Sequence, residues 1–200
     1  MATLKVGIIG DGNVGSALRQ GIEKKPGYDV RAVGRDRRVV GETAKWADLI
    51  ILAIPFPAVD DALKSIGAAA DGKALVDATN ALDGKGGLAV GFTTSAAEEL
   101  QKKAPRAKVV KAFNTVFSKN MSTGKIKGEA ISALVAADDA QAKRQVLDLA
   151  KAIGFEPVDA GPLQNARWLE AMALLIINLG YAAPKYGLDI GYKLVGAAAK

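Results

Sequence analysis

The sequence predicts an α/β fold in which a doubly wound, mostly parallel sheet is followed by a small C-terminal helical part. Short apolar runs alternate along the chain with segments of helical spacing, a pattern typical of parallel strands joined by helices. The first apolar run, Leu4–Ile9, ends in the glycine-rich turn Gly10–Gly15 and precedes a helical segment that Pro26 terminates. At 200 residues the chain is long enough to bury a sizeable core.

The glycine turn has the sequence and the flanking elements of a pyrophosphate-binding turn. Its first glycine allows the tight turn, its second lets the backbone approach the phosphates, and its third lets helix and strand pack closely. The phosphates then contact unpaired N–H groups at the helix N-terminus. A purely structural glycine turn is the alternative. The pattern therefore predicts a Rossmann-like dinucleotide site formed by Gly10, Asp11, Gly12, Asn13, Val14 and Gly15.

Arginines follow the second predicted strand, Asp29–Gly34, and indicate which dinucleotide binds. Proteins that bind NAD usually place Asp or Glu here to accept hydrogen bonds from the ribose, whereas a cation binds the additional phosphate of NADP. We therefore assign Arg35, Arg37 and Arg38 to NADP. Asp36 leaves NAD as an alternative, and a solvated charge run is the other.

The rest of the chain continues the alternation of strands and helices. After Arg38 there is room for at most a short helix, so we expect the full helix and additional strand of a standard doubly wound half to be missing. Pro157 makes the last strand an edge strand. Strands are expected at Asp48–Ile54, Lys73–Asp77, Lys108–Phe113, Ile131–Ala136 and Phe155–Asp159, and helices at Ala58–Ala69, Thr94–Lys103, Asp138–Ile153 and Leu163–Ala183.

Two parts of unequal size are expected. Residues 1–160 would form the NADP-binding domain, and residues 161–200 a C-terminal helical segment that contributes to a coenzyme site and to a dimer contact. Since ligands of open parallel sheets bind beyond the carboxyl ends of the strands, the loops at those ends complete the predicted site. These loops contain Ala53, Ile54, Pro55, Thr79, Asn80, Asn114 and Thr115.

The amide and hydroxyl side chains of these loops, on Asn80, Asn114 and Thr115, can hydrogen-bond a nicotinamide carboxamide or a second ring. The alternative is that the two asparagines are ordinary turn residues, for which Asn is well suited.

The chain contains no histidine and no cysteine, which excludes several kinds of chemistry. Ser-His-Asp and Cys-His nucleophiles, histidine-ligated metal and redox disulfides all need these residues. Hydride transfer between two bound coenzymes needs none of them, because both reactive atoms belong to the ligands. We therefore expect no catalytic side chain and no metal.

The composition favours small anionic ligands over nucleic acid or membrane. The formal net charge is +6, but the basic residues are spread out and aromatic residues are only 6% of the chain. The apolar run Ala171–Ile177 is too short for a membrane span. Since Met1 precedes the first strand closely, there is no room for a signal peptide, and a cytoplasmic location is expected.

Taken together, these segments resemble the NADP-dependent oxidoreductases that use an 8-hydroxy-5-deazaflavin coenzyme (coenzyme F-420), and the related cytosolic domain of transmembrane metalloreductases. The resemblance covers nearly the whole chain. It implies a homodimer built through the C-terminal helices. Its most specific parts are Gly91–Glu98, Val109–Thr115, Pro157–Met172 and Leu188–Lys193.

The resemblance also implies coenzyme contacts. Asp11–Val14, Arg35, Ile54 and Pro55 correspond to residues that contact NADP in the family. Residues 114–118, and hence Ser118, lie where nicotinamide and deazaflavin meet, and Ile190 lies near the deazaflavin. Two positions depart from the deazaflavin enzymes, since Asn114 replaces a histidine and Phe117 a proline. They keep an ordinary flavin, FMN or FAD, open as the electron partner.

The function expected from these observations is hydride transfer between NADPH and a deazaflavin or flavin coenzyme. One alternative is a non-catalytic module that binds or senses NADP. Another is an imine or ketone reductase of related fold, although such enzymes usually have a longer helical dimerisation region than the residues after Asp159 provide.

Overall fold

A seven-stranded sheet forms the centre of the molecule, whose computed structural model describes residues 3–182 and 186–196. The strands of these ranges are β1 (Leu4–Ile9), β2 (Tyr28–Val33), β3 (Leu49–Leu52), β4 (Ala74–Asp77), β5 (Lys108–Lys111), β6 (Lys125–Ile126), β7 (Glu129–Ala130), β8 (Ser132–Ala137) and β9 (Glu156–Asp159). The sheet has the order β2-β1-β3-β4-β5-β8-β9, and β6 pairs with β7 apart from it. The predicted Rossmann-like, mostly parallel sheet is confirmed, because only the β5–β8 pair in it is antiparallel.

Some of the described helices begin at a side chain that caps them, and the first begins where the glycine turn ends. The described helices are α1 (Asn13–Ile22), α2 (Arg37–Trp46), α3 (Val59–Ile66), α4 (Ala96–Lys103), α5 (Ser118–Met121), α6 (Ala140–Ile153) and α7 (Ala166–Ile177). The carboxylates of Asp36 and Asp139 and the hydroxyl of Ser95 each accept a hydrogen bond from the backbone N–H three residues later. A π-helical turn, Asn178–Ala182, continues α7. Ala183, the last residue of the predicted helix, lies outside the described residues.

The expectation for the segment after Arg38 was wrong in one respect. A helix of ten residues, as long as α1, lies there, because it begins at Arg37 with Asp36 as its N-cap. No further strand separates this helix from β3, which agrees with the other half of the expectation. The segment therefore differs from a standard doubly wound half only in lacking a strand between α2 and β3.

Two apolar cores lie on opposite faces of the sheet, because successive strand residues point to opposite sides. Ile8 and Ile51 belong to the core under α1 and α6, whereas Ile50 and Leu52 belong to the core under α2, α3 and α4. All four side chains of β3 are buried, as expected for a central parallel strand. On the sheet's outer side, β9 with its Pro157 is an edge strand, as predicted.

The described residues 186–196, which follow the π-helical turn, are held by polar contacts. The Ser132 N–H donates to the Tyr192 carbonyl (2.8 Å), and the Tyr192 hydroxyl donates to the Met172 carbonyl (2.9 Å). Asn120 Nδ2 donates to the Leu188 carbonyl at 3.0 Å. These bonds place the chain's last described segment beside α5, α7 and β8. Within the described ranges, none of the helices combines the length and apolar character that crossing a bilayer requires.

Candidate functional site

The glycine turn between β1 and α1 has a backbone that requires glycine at two positions. Gly10 has φ +115°, and a Cβ there would overlap the carbonyl oxygen of Ala53. A Cβ on Gly15 would overlap the carbonyl oxygen of Gly10. On Gly12, in contrast, a Cβ would meet no atom of the described residues within 4 Å. Packing therefore explains Gly10 and Gly15, whereas Gly12 leaves space above the turn.

The N-terminus of α1 carries no side-chain cap. Gly12 is the N-cap residue, and the Ser16 hydroxyl donates instead to the Asp11 carbonyl (2.9 Å). The Ser16 N–H donates to the Gly12 carbonyl, so the N–H groups of Asn13, Val14 and Gly15 precede the first intrahelical bond. Such N–H groups, together with the helix dipole, favour an anion.

A cavity of about 780 Å³ opens beside this turn, within the size range of ligand-binding clefts. Apolar side chains on its walls include Val40 on α2 and Ala62 on α3. The cavity brings together eight of the residues predicted from the sequence: Gly10, Asp11, Gly12, Arg35, Arg37, Ala53, Ile54 and Pro55.

Of the three predicted arginines, Arg35 and Arg37 line the cavity and Arg38 does not. Arg38 Nη1 instead donates to Glu42 Oε1 at 2.8 Å on an exposed face of α2. The Asp36 carboxylate accepts the Val39 N–H at 3.0 Å as the cap of α2. Asp36, the residue that left NAD as an alternative in the sequence analysis, is therefore a helix cap. It is not among the residues that line the cavity.

A second group of predicted residues lies at the carboxyl ends of β4 and β5. Asn80 Nδ2 donates to the Asn114 carbonyl (3.3 Å), and Asn114 Nδ2 lies 3.5 Å from Asn80 Oδ1. Asn114 Nδ2 also donates to the Leu169 carbonyl of α7 at 2.9 Å. These contacts join the two strand ends to α7. Thr79, Asn114 and Thr115 are buried, and Asn80 is partly exposed.

Two buried polar atoms of this group have no hydrogen-bond partner among the described residues, Thr79 Oγ1 and Asn114 Oδ1. An unpaired buried polar atom costs about 1–3 kcal/mol. A hydroxyl, which can donate, and an amide oxygen, which accepts, complement the carbonyl and the NH₂ group of a carboxamide. The unpaired atoms therefore fit the group that the sequence analysis expected at this position.

A buried charge cluster that the sequence analysis missed lies directly beneath these residues. Lys111 on β5 is fully buried, and its Nζ contacts Asp77 Oδ2 (2.9 Å), Glu170 Oε1 (3.0 Å) and the Thr79 carbonyl (2.8 Å). Burial alone lowers the pKa of a lysine, but the charges of Asp77 and Glu170 outweigh it, so the pKa of Lys111 is raised. Lys111 is therefore a cation that anchors the loop after β4.

Glu170 extends this cluster to the N-terminus of α4, where it accepts the N–H groups of Ala96 (3.0 Å) and Ala97 (3.4 Å). Nearby, Arg167 donates two hydrogen bonds to Glu98, at 2.8 and 2.7 Å, and lowers the pKa of that carboxyl.

The sequence contained a signal for the buried cluster. Lys111 and Glu170 are single charges of opposite sign inside apolar segments.

The two residues that only the family resemblance suggested lie on neighbouring segments. Ser118 is the first residue of α5 and is partly buried, and Ile190 is a half-buried residue of the C-terminal segment. The segments are joined by an ion pair between Lys119 Nζ and Asp189 Oδ2 (2.6 Å). In the part of the chain that the structure describes, no group of acidic side chains is arranged to hold a metal ion.

The sheet order and the glycine turn define a Rossmann-like α/β protein, and comparisons identify its family. No protein-family model matches the chain. The chain is 31% identical over 179 residues to the F420-dependent NADP reductase of Methanothermobacter thermautotrophicus, covering 83% of this chain and 77% of that protein. The chain therefore belongs to the family of F420-dependent NADP reductases, and the resemblance seen in the sequence is confirmed.

Other relatives match over smaller shares of their length. The F420-dependent NADP reductase of Methanothermobacter marburgensis is 34% identical over 148 residues, 69% of this chain and 65% of that protein. The metalloreductase STEAP3 of Rattus norvegicus is 30% identical over 185 residues, 86% of this chain and 37% of that protein. The chain thus spans less than two thirds of either relative.

Solved structures agree with this assignment. A protein of Arthrobacter sp. FB24, provisionally named an F420-dependent NADP reductase, matches with a TM-score of 0.86 and 27% identity over 96% of this chain and 100% of that one. The imine reductase of Streptomyces aurantiacus matches with a TM-score of 0.64 and 15% identity, over 90% of this chain and 62% of that one. At this identity, the likeness to the imine reductase shows the fold alone.

Proposed function

We propose that the protein is an NADP-dependent oxidoreductase that transfers a hydride between NADPH and a deazaflavin coenzyme. The observation that carries this proposal is the cavity that joins the uncapped N-terminus of α1 to Arg35 and Arg37. The names of the relatives support the same conclusion, since two of them are F420-dependent NADP reductases.

The cavity residues divide into three binding roles. The N–H groups at the start of α1 bind the pyrophosphate, and the space above Gly12 admits it without a protein clash. Val40 and Ala62 provide apolar surface for the adenosine. Arg35 and Arg37 bind the 2′-phosphate by charge-assisted hydrogen bonds.

The residues at the ends of β4 and β5 orient the nicotinamide. The Thr79 hydroxyl donates to the carboxamide and the Asn114 amide oxygen accepts from it, so both buried atoms gain a partner. Asn80 and Thr115 complete this wall, and Ser118 and Ile190 contact the deazaflavin. When bound, the two coenzymes supply the hydride donor and acceptor, so the chain contributes orientation and no nucleophile.

The reaction can be tested by mixing the purified protein with NADPH and one acceptor at a time: the deazaflavin, FMN or FAD. We expect the absorbance of reduced nicotinamide to fall only with the deazaflavin. Reduction of FMN or FAD instead would replace the proposed acceptor by an ordinary flavin. NADPH binding without reduction of any acceptor would leave the non-catalytic NADP-binding module.

The C-terminal segment 161–200 has a second proposed role, contact with another copy of the chain. Trp168 and Leu175 on α7 are 56% and 53% exposed, and their spacing of seven residues places them on one helix face. We propose that this face packs against the same face of a second copy in a homodimer, and that the protein is located in the cytoplasm. Sedimentation should show a dimer for the natural chain and a monomer after Trp168→Glu and Leu175→Glu; a monomeric natural chain would contradict the proposal.

A further inference from the structure

A carboxylate lies in the same cavity as the two arginines that are proposed to bind the 2′-phosphate. Asp61, in the first turn of α3, lines the cavity together with Arg37, in the first turn of α2. Arg37 Nη2 lies 3.9 Å from Asp61 Oδ1, and Lys64 Nζ lies 3.1 Å from the same oxygen. The Arg37–Asp61 contact therefore links the two helices that form the cavity walls.

The geometry makes this contact weak and easily exchanged. The Arg37 and Asp61 side chains are 76% and 64% exposed, and 3.9 Å is too long for a hydrogen bond. A guanidinium binds a phosphate dianion more strongly than it binds this carboxylate, since the phosphate carries more charge and can accept two parallel hydrogen bonds, whereas Asp61 accepts none from Arg37 at 3.9 Å. Arg37 can thus leave Asp61 and bind a phosphate. The loss of its attraction to Asp61, and the repulsion between the Asp61 carboxylate and the phosphate, then reduce the affinity for the phosphate.

We propose that Asp61 is a specificity-determining residue, which competes with the 2′-phosphate of NADP for Arg37 and so moderates the preference for NADP over NAD. This inference rests on the proposed function, because it concerns the phosphate site of the same cavity. NAD has no 2′-phosphate, so Asp61 does not affect its affinity.

The test compares Asp61→Asn with Asp60→Asn by calorimetric titration with NADPH and with NADH. Asp60 is a matched control, because it lies in the same first turn of α3 but pairs with Lys103 (2.6 Å) and does not line the cavity. We expect Asp61→Asn to bind NADPH about two- to fivefold more tightly, the range of one exposed ion pair, and NADH with unchanged affinity. Asp60→Asn should change neither affinity.

A second comparison tests whether Asp61 acts through Arg37. In an Arg37→Ala background, the tightening caused by Asp61→Asn should disappear, because the competing partners no longer share a cation. Persistence of the tightening would overturn the inference. So would an unchanged NADPH affinity in Asp61→Asn, or weaker binding of both nucleotides, which would mean that Asp61 contacts the adenosine. If the natural chain bound neither nucleotide, the proposed function itself would fail, and the inference with it.

Discussion

The two halves of the sheet's carboxyl edge are built in opposite ways. Beyond β1, β2 and β3, the chain forms an open cavity in which Arg35 and Arg37 are charged, accessible and only weakly paired. Beyond β4 and β5, the charges of Lys111 and Glu170 are fully buried and paired with each other. We call the first region the open half, since its charges are accessible to a ligand. We call the second the closed half, since its charges are paired within the protein.

The difference shows where the chain can leave a charge without a partner. A cation at the surface costs little folding free energy when no ligand is bound, because water solvates it. A buried cation must have its partners within the protein, since desolvation costs several kcal/mol per ion. Accordingly Lys111 has three oxygen partners and positions Thr79, whereas Arg37 has one distant carboxylate. In the proposed function, the open half binds the ligand and the closed half positions the loop after β4.

The largest expected effect comes from breaking the closed half. Lys111→Met should lower the free energy of unfolding by about 3–5 kcal/mol, because it leaves Asp77 and Glu170 buried without their cation. Lys108→Met on the same strand is the control, since its pair with Asp139 (3.2 Å) is one-third exposed. That control should lose no more than about 1 kcal/mol in denaturant unfolding. Equal losses would contradict the contrast between the two regions.

The glycine turn allows stability and binding to be separated. Gly15→Ala should lower the free energy of unfolding by about 1–3 kcal/mol, since its Cβ overlaps the Gly10 carbonyl. Gly12→Ala has no such clash and should lose less than Gly15→Ala, at most about 1 kcal/mol for the poorer N-cap, but bind NADPH at least about tenfold more weakly, since its methyl enters the phosphate space. Thermal unfolding and titration with NADPH measure the two effects. Normal NADPH binding by Gly12→Ala would refute the assigned pyrophosphate position.

In the open half, Arg35→Ala should weaken NADPH binding by about 1–3 kcal/mol, the scale of a charge-assisted phosphate contact, and leave NADH binding nearly unchanged. Arg38→Ala is the matched control, because Arg38 pairs with Glu42 outside the cavity and should affect neither nucleotide. Titration of both variants with both nucleotides checks this. Equal losses for NADPH and NADH in Arg35→Ala would exclude the 2′-phosphate role.

The smallest expected effect concerns the partly exposed pair between Arg167 and Glu98. Because Arg167 lowers the pKa of folded Glu98, the pair stabilises the protein above the unfolded pKa of about 4.3, and the contribution is lost as pH falls through the folded pKa. Arg167→Met should therefore cost about 1 kcal/mol at neutral pH and progressively less in acid. Urea unfolding at several pH values measures this; a loss independent of pH would show that packing, and not charge, is responsible.

The match between predicted and observed elements is best where the determinants are local. The predicted first strand, Leu4–Ile9, is the observed β1, because a buried parallel strand is a continuous apolar run ended by glycine. Pro157 likewise lies on an edge strand, since proline cannot donate to a central one. The helix Arg37–Trp46 is longer than the short helix expected after Arg38, because Asp36 is its N-cap and the helix begins before Arg38.

The candidate site divides in the same way. The glycine spacing and the arginines indicated the open half, because a phosphate site needs particular residues at particular positions along the chain. The closed half could not be derived from spacing. Lys111 and Glu170 are 59 positions apart in the sequence, and only the packing of α7 against the end of β5 brings them into contact.

By itself the sequence determined the alternation of strands and helices, the glycine turn and the absence of histidine and cysteine chemistry, because each depends on residue type and near neighbours. Only the tertiary structure decided that Asp36 caps a helix, that Arg37 and not Arg38 lines the cavity, and that the buried Lys111 cation is paired with carboxylates. Those outcomes depend on which side chains come into contact across separate elements. The exclusion of water at these contacts then determines the free energy of each charged group.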